Sequence, residues 1–173
     1  MSTLKVNAIQ DTSGNVQPFG ITMNESWMLT SSFNGNGEAD ITSNWGKHSA
    51  GNSAQGDIGT GMTESSGIFT FPTTGIYLVM STLLASTNGG RTYVGIRQKF
   101  TTDGSNFTEN VEAFSNGYQN TAFVVVNNCG VYDVTNTSTH KIKFQHNISD
   151  TVSVKGSASI KTTGVVFTRL GDT

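Results

Sequence analysis

The chain has 173 residues, a formal net charge of −2 and only 13% charged side chains, about half the usual share of roughly 25%. Its 25 Thr, 19 Ser, 16 Asn and 20 Gly exclude the Ala/Glu/Lys/Leu-rich stretches of a coiled coil or helical bundle. The 16 aromatics argue against disorder, and the scattered Lys and Arg leave no footprint for nucleic acid or anionic lipid.

Residues 1–20 read as an extended arm. Leu4, Val6 and Ala8 alternate weakly, residues 11–15 form a turn cluster, and Pro18 to Gly20 form a hinge. The arm lacks the basic and apolar regions of a signal peptide. No run of 18 apolar residues exists, so no membrane insertion is expected.

From Ile21 onward the pattern is strands and turns. Ser26 to Phe33 carries Trp27, Leu29 and Phe33 at strand spacing. Residues 34–37 read as a turn, Ile41 to Trp45 as a short strand, and 46–66 as a polar surface loop. Gly67 to Phe71 is a strand, and Pro72 to Gly75 a turn in which Pro fixes φ and Gly takes the awkward conformation. Ile76 to Ser86 is the strongest strand, followed by a hairpin turn at 88–90. Arg91 to Thr101 places Tyr93, Gly95, Arg97 and Lys99 on one side, with Val94, Ile96, Gln98 and Phe100 on the other. After a turn at Asp103, strands are expected at 107–114 and 119–134. Ile142, Phe144 and His146 alternate with Lys141, Lys143 and Gln145 as a half-buried edge. Segments 152–160 and 164–170 close the domain, with Asp150 in a turn. Nine or ten short strands without a helix predict an all-β sandwich or jelly roll.

Two strands are apolar on both faces. Tyr77, Val79 and Leu83 oppose Ile76, Leu78, Met80 and Leu84; Val124, Val126 and Tyr132 oppose Phe123, Val125 and Val131. One face packs in the sandwich and the other requires a second cover. A second copy of the chain is one candidate cover, and the 46–66 loop is the other.

The run Phe69-Thr70-Phe71-Pro72-Thr73-Thr74-Gly75-Ile76-Tyr77-Leu78 resembles a strand–turn–strand of the family of complement C1q globular heads and tumour necrosis factor. Residues 130–134 and 164–167 are similar to two later strands of that family, in family order. The resemblance implies a ten-stranded jelly roll over residues 21–173, assembled as a homotrimer. Its core motif is Phe69, Phe71, Pro72, Gly75 and Tyr77, with Tyr77 pointing inward. Leu78 and Met80, with Val125 and Val166, would face the threefold axis. The family's usual Gly-Asp pair is replaced at 136–140, and its acidic calcium site is not visible.

Residues 2–10 resemble the N-termini of structural proteins of marine tailed bacteriophages. This implies a virion protein made in a host cytoplasm. It would be a trimeric tail-fibre or receptor-binding tip, with residues 1–20 docked on other virion proteins and the head contacting a host glycan or protein. A capsid decoration or tail-assembly subunit docked through the arm is the alternative.

No catalytic constellation is legible, and neither an enzyme activity nor a cofactor or metal is expected. His48, His140 and His146 lack ligand spacing on one element. Cys129, the one cysteine, has no adjacent base and reads as a buried, inert thiol. Glu109 and Glu112 read as solvent-facing. Trp27 reads as core. Trp45, beside the polar loop, is either core or a binding anchor. The four Asn-x-Ser/Thr sequons, at Asn24, Asn106, Asn136 and Asn147, matter only in a secretory pathway. Candidate contact segments are 34–36, 46–66, 88–91 and 103–106.

Overall fold

The computed structural model describes residues 9–10, 16–17, 20–47, 56–87, 92–117 and 122–173. Among these there are thirteen strands and no helix. β1 (Ile9–Gln10) and β2 (Val16–Gln17) pair antiparallel with each other as a separate two-stranded sheet. The turn cluster between them lies outside the described residues.

The remaining eleven strands are β3 (Met23–Leu29), β4 (Ser31–Asp40), β5 (Trp45–Gly46), β6 (Thr63–Ser65), β7 (Ile68–Thr70), β8 (Gly75–Ser86), β9 (Thr92–Thr101), β10 (Thr108–Gly117), β11 (Phe123–Val134), β12 (Lys141–Ser157) and β13 (Gly164–Gly171). They form an antiparallel jelly roll of two layers. The inner layer runs β11-β8-β13-β3-β5. In the outer layer β12 is central, with β9 and then β10 on one side and β4 and β7 on the other. The far end of β12 also pairs with β8, through Ser153 opposite Ser86, and ties the two layers together.

Period-two alternation builds the core between the layers. Tyr77, Val79, Leu83, Val124, Val165 and Phe167 come from the inner sheet, and Val94, Ile96, Ile142 and Phe144 from the outer, all buried. Phe69 is the centre of an aromatic cluster. Its ring centroid lies 5.4 Å from Trp27, 5.3 Å from Trp45, 5.6 Å from Phe144 and 5.3 Å from Phe167. Phe71 extends this cluster to Tyr77 at 4.7 Å. The Tyr77 hydroxyl donates back to the carbonyl of Thr73 at 2.9 Å, which anchors the turn that opens at Pro72. Gly75 has φ of +144°, and a Cβ there would stand 2.5 Å from the Arg169 guanidinium, so the turn needs glycine on both counts.

A polar network crosses the core. Gln98 is fully buried on the apolar side of β9. Its amide donates to the Val79 carbonyl at 3.1 Å and to Asn128 Oδ1 at 2.8 Å. Its Oε1 accepts from the Tyr132 hydroxyl at 2.8 Å. Asn128 also bonds Ser81 and donates to the Ile96 carbonyl at 2.8 Å. Every group in the set has a partner, as a buried polar network requires. Burial raises the Tyr132 pKa well above the ordinary phenol range.

Several sequence expectations change. Residues 34–36 are not a turn; they lie inside β4, paired with β12 across an irregular register between Ile148 and Val152. Gly37 takes φ of +65° within this strand, a conformation that favours glycine. Residues 41–44 are not strand: Ile41 packs in the core from a loop, and only Trp45–Gly46 pair with β3. Segments 141–146 and 152–157 are one 17-residue strand, flanked on both sides rather than at an edge, and Asp150 lies within it.

Phe69→Ala removes the ring that four aromatics share. It should lower unfolding free energy by about 3–5 kcal/mol, read as a shifted denaturant midpoint with an unchanged slope.

Candidate interaction surfaces

The outward face of the inner sheet is apolar. Met80 on β8 lies opposite Cys129 on β11 and opposite Val166 on β13. Leu78 pairs with Val131, and Leu84 with Val125. Leu78, Met80, Val125 and Val166 therefore share one face, together with Phe123 and Val131. Phe123 is 70% exposed, Val131 63%, Val125 50% and Met80 43%; Leu78 and Val166 are half-buried. No described segment covers this face, and residues 48–55 of the long loop lie outside the description.

Polar groups interrupt the face. Thr82 donates to Asn127 Oδ1 at 2.6 Å. At its β3 side the Lys161 amine donates to Ser26 Oγ at 2.7 Å and to the Val165 carbonyl at 3.1 Å. Burial pushes that amine's pKa down to about 8. Cys129 is exposed on this same face, which corrects the expectation of a buried thiol. Odd-numbered residues of β11 point outward, and Cys129 follows that parity.

The outward face of the outer sheet has the opposite character. Arg97, 8% exposed, sits among three carboxylates: it pairs with Glu112, with Glu38 at 2.8 Å and with Glu109 at 3.1 Å. Burial opposes its charge, but the hydrogen bonds to Glu112 and Glu38 outweigh that and raise its pKa. Lys143 pairs with Asp40 at 2.6 Å. Glu109 and Glu112 are solvent-facing strand residues, as expected, and both pair with Arg97.

The flanks of the long loop are pinned. Glu25, buried on β3, pairs with Lys47 and accepts the Met62 backbone N–H at 2.6 Å. Lys47 also meets Asp57 at 2.9 Å and the Trp27 ring at 4.9 Å. The Trp45 indole donates to the Ile41 carbonyl at 2.8 Å and packs on Phe69, so Trp45 belongs to the core. His48 lies outside the described residues, as does the segment 88–91.

The other two histidines are buried and bonded. His140 lies between the hydroxyls of Thr135 at 3.2 Å and Thr139 at 3.1 Å. His146 Nδ1 bonds the Gly37 carbonyl at 3.2 Å, and burial lowers its pKa. Of the sequons, Asn147 is buried and donates to Glu38 at 3.1 Å.

The 103–106 turn is organised by one carboxylate. Asp103 Oδ1 accepts the backbone N–H of Ser105 at 2.8 Å and of Asn106 at 2.7 Å, and the Thr101 hydroxyl at 2.8 Å. Its Oδ2 accepts from the Asn106 amide at 2.6 Å. These bonds, led by those from Asn106, hold its pKa well below the usual carboxylate range. A depressed carboxylate pKa contributes stability that is present above the ordinary range and lost as pH falls through and below it. Asp103→Asn should therefore lower the melting temperature at pH 7 and flatten its fall between pH 5 and about pH 2, read by thermal scans across pH.

No protein-family model and no curated protein matches the chain. Solved structures do. The chain is similar to Eiger TNF from S. frugiperda, at 10% identity over 89% of this chain and 96% of that one, with a TM-score of 0.65. It is also similar to murine APRIL, at 13% identity over 86% of this chain and 98% of that one, with a TM-score of 0.62. The chain therefore has the jelly-roll fold of the tumour necrosis factor-like structures.

Proposed function

We infer that the chain is a homotrimeric, non-enzymatic virion protein of a tailed bacteriophage, a tail-fibre or receptor-binding tip that works by contacting the host surface. One observation carries the assembly: β8 and β11 present an apolar face on the outside of the inner sheet. Exposed contiguous apolar surface of this kind marks an interface. A second copy is the cover that a single-chain product always has at hand, and closed rotational symmetry satisfies every copy equally. In this reading Leu78, Met80, Val125 and Val166 line the trimer interface, and the polar outer sheets face water.

Action by contact rather than turnover is supported by the state of the titratable side chains. Glu38, Glu109, Glu112 and Asp40 on the outer sheet are engaged with Arg97 and Lys143, and His140 and His146 are buried and bonded. Three weak contact sites on one trimer multiply into avidity without any chemistry.

The phage context rests on the resemblance of residues 2–10 and on the separate pairing of β1 with β2. That pairing supports residues 1–20 as an attachment segment distinct from the head at 21–173. The same observation favours the second reading, a capsid decoration or tail-assembly subunit held by the arm.

Two variants test the scheme. Met80→Glu places three like charges near one axis, a costly burial. It should yield a folded monomer, by circular dichroism and light scattering, that binds host cells far more weakly for want of avidity; a trimer with unchanged melting refutes the interface. Deleting residues 1–20 should leave the trimer intact and remove the protein from particles. Particles that still carry the truncated chain refute docking through the arm.

A further inference from the structure

A second exposed aromatic surface lies on the outer sheet, on the opposite side of the sandwich from the apolar face. Tyr93 on β9 and Phe114 on β10 are 40% and 50% exposed. Their rings meet edge to face at 89°, with centroids 5.5 Å apart. The ladder places Phe114 opposite Gly95, and Tyr93 opposite Asn116. A Cβ at Gly95 would stand 2.5 Å from the Phe114 ring, so the glycine is what lets that ring lie over bare backbone. Tyr93, Phe114 and Asn116 line a shallow depression of about 330 Å³.

We propose that this depression is a carbohydrate platform that takes one neutral pyranose ring of a surface glycan. Size argues against a protein occupant. Two rings and an amide fall far short of the roughly 800 Å² per partner that a stable protein interface buries. Charge argues for a neutral one. The nearest outward charges on these two strands, Arg97 and Glu112, are paired with each other, and among the described residues no charged side chain lines the depression. Among the described residues a phosphate, sulfate or carboxylate finds no free cation there.

A sugar ring matches what remains. Its C–H face packs on an aromatic ring face, whose quadrupole is negative. Its hydroxyls find a donor and an acceptor in the Asn116 carboxamide. The backbone under Tyr93 is held, since its N–H donates to Ser149 Oγ at 3.0 Å. The platform is therefore fixed by two strands and by β12 before any ligand arrives.

The inference deepens the surface-contact reading and rests on it, while the platform itself lies within one copy. In a trimer closed through the inner sheets, all three platforms face outward, and avidity follows.

The test is a glycan array of neutral and charged oligosaccharides, probed with labelled wild-type protein, Phe114→Ala, Tyr93→Ala and Met80→Glu. Both ring positions are exposed, so these variants should fold, as checked by circular dichroism. Wild type should retain neutral hexose-containing glycans. Each aromatic variant should lose about tenfold or more in affinity while remaining trimeric. Met80→Glu should keep the same glycan preference with weaker apparent binding. Two results overturn the platform: wild type binding no neutral glycan, or Phe114→Ala and Tyr93→Ala binding as wild type does. If host-cell binding by wild type persists in either case, the surface-contact reading survives without the platform. If host-cell binding is absent while the array is positive, the reverse holds.

Discussion

A strand in a two-layer sandwich has one face for the opposing sheet and one for whatever lies outside, and β8 is apolar on both. Its inward parity, through Tyr77, Val79 and Leu83, fills the core against the outer sheet. Its outward parity, through Leu78, Met80 and Leu84, meets apolar partners on β11 and β13 in register. Nothing about a solvated antiparallel sheet calls for the second set. The pattern makes sense when that face has a cover, and the rest of the functional account depends on this constraint.

The two outer surfaces of the sandwich divide the work. The inner sheet shows Phe123, Val125 and Val131 to the outside. The outer sheet shows a cross-strand set of Arg97, Lys143, Glu38, Asp40, Glu109 and Glu112. Partly exposed ion pairs of this kind contribute little stability individually. Their consequence is orientation: a chain with one charged face and one apolar face has one way to bury surface. The Tyr93–Phe114 pair breaks the polar character of the outer sheet at one spot, and Gly95 beneath it shows that the spot is built by the backbone.

Much of this was legible in the sequence, for a physical reason. Side-chain period two is a hard geometric property. Hence the alternations of β8, β9 and β11 located those strands, and the Pro72–Gly75–Tyr77 spacing located the turn. Parity even placed Gln98 with Val94, Ile96 and Phe100, inside the core where it is found. What parity alone does not convey is that Gln98, Asn128 and Tyr132 satisfy one another, because their pairing joins two strands that are not consecutive in the chain, β9 and β11. Sequence and structure part where residue type and pattern point different ways. The lack of an adjacent base points to an inert, buried Cys129, whereas its parity with Val125 and Val131 places it outward, as found. Asn and Gly at residues 34–37 favour a turn. Their pairing with the irregular stretch of β12 is a tertiary constraint that local sequence does not carry. Trp45 leaves both a core seat and a binding anchor open in sequence, and its core seat on Phe69 depends on a strand more than twenty residues away.

The most direct test is the solution mass of the wild-type chain by size-exclusion chromatography with light scattering. The account predicts three times 18.4 kDa, about 55 kDa, across a wide concentration range. A mass near 18.4 kDa would contradict it, because the apolar face of β8 and β11 would then be stable in water without a second copy.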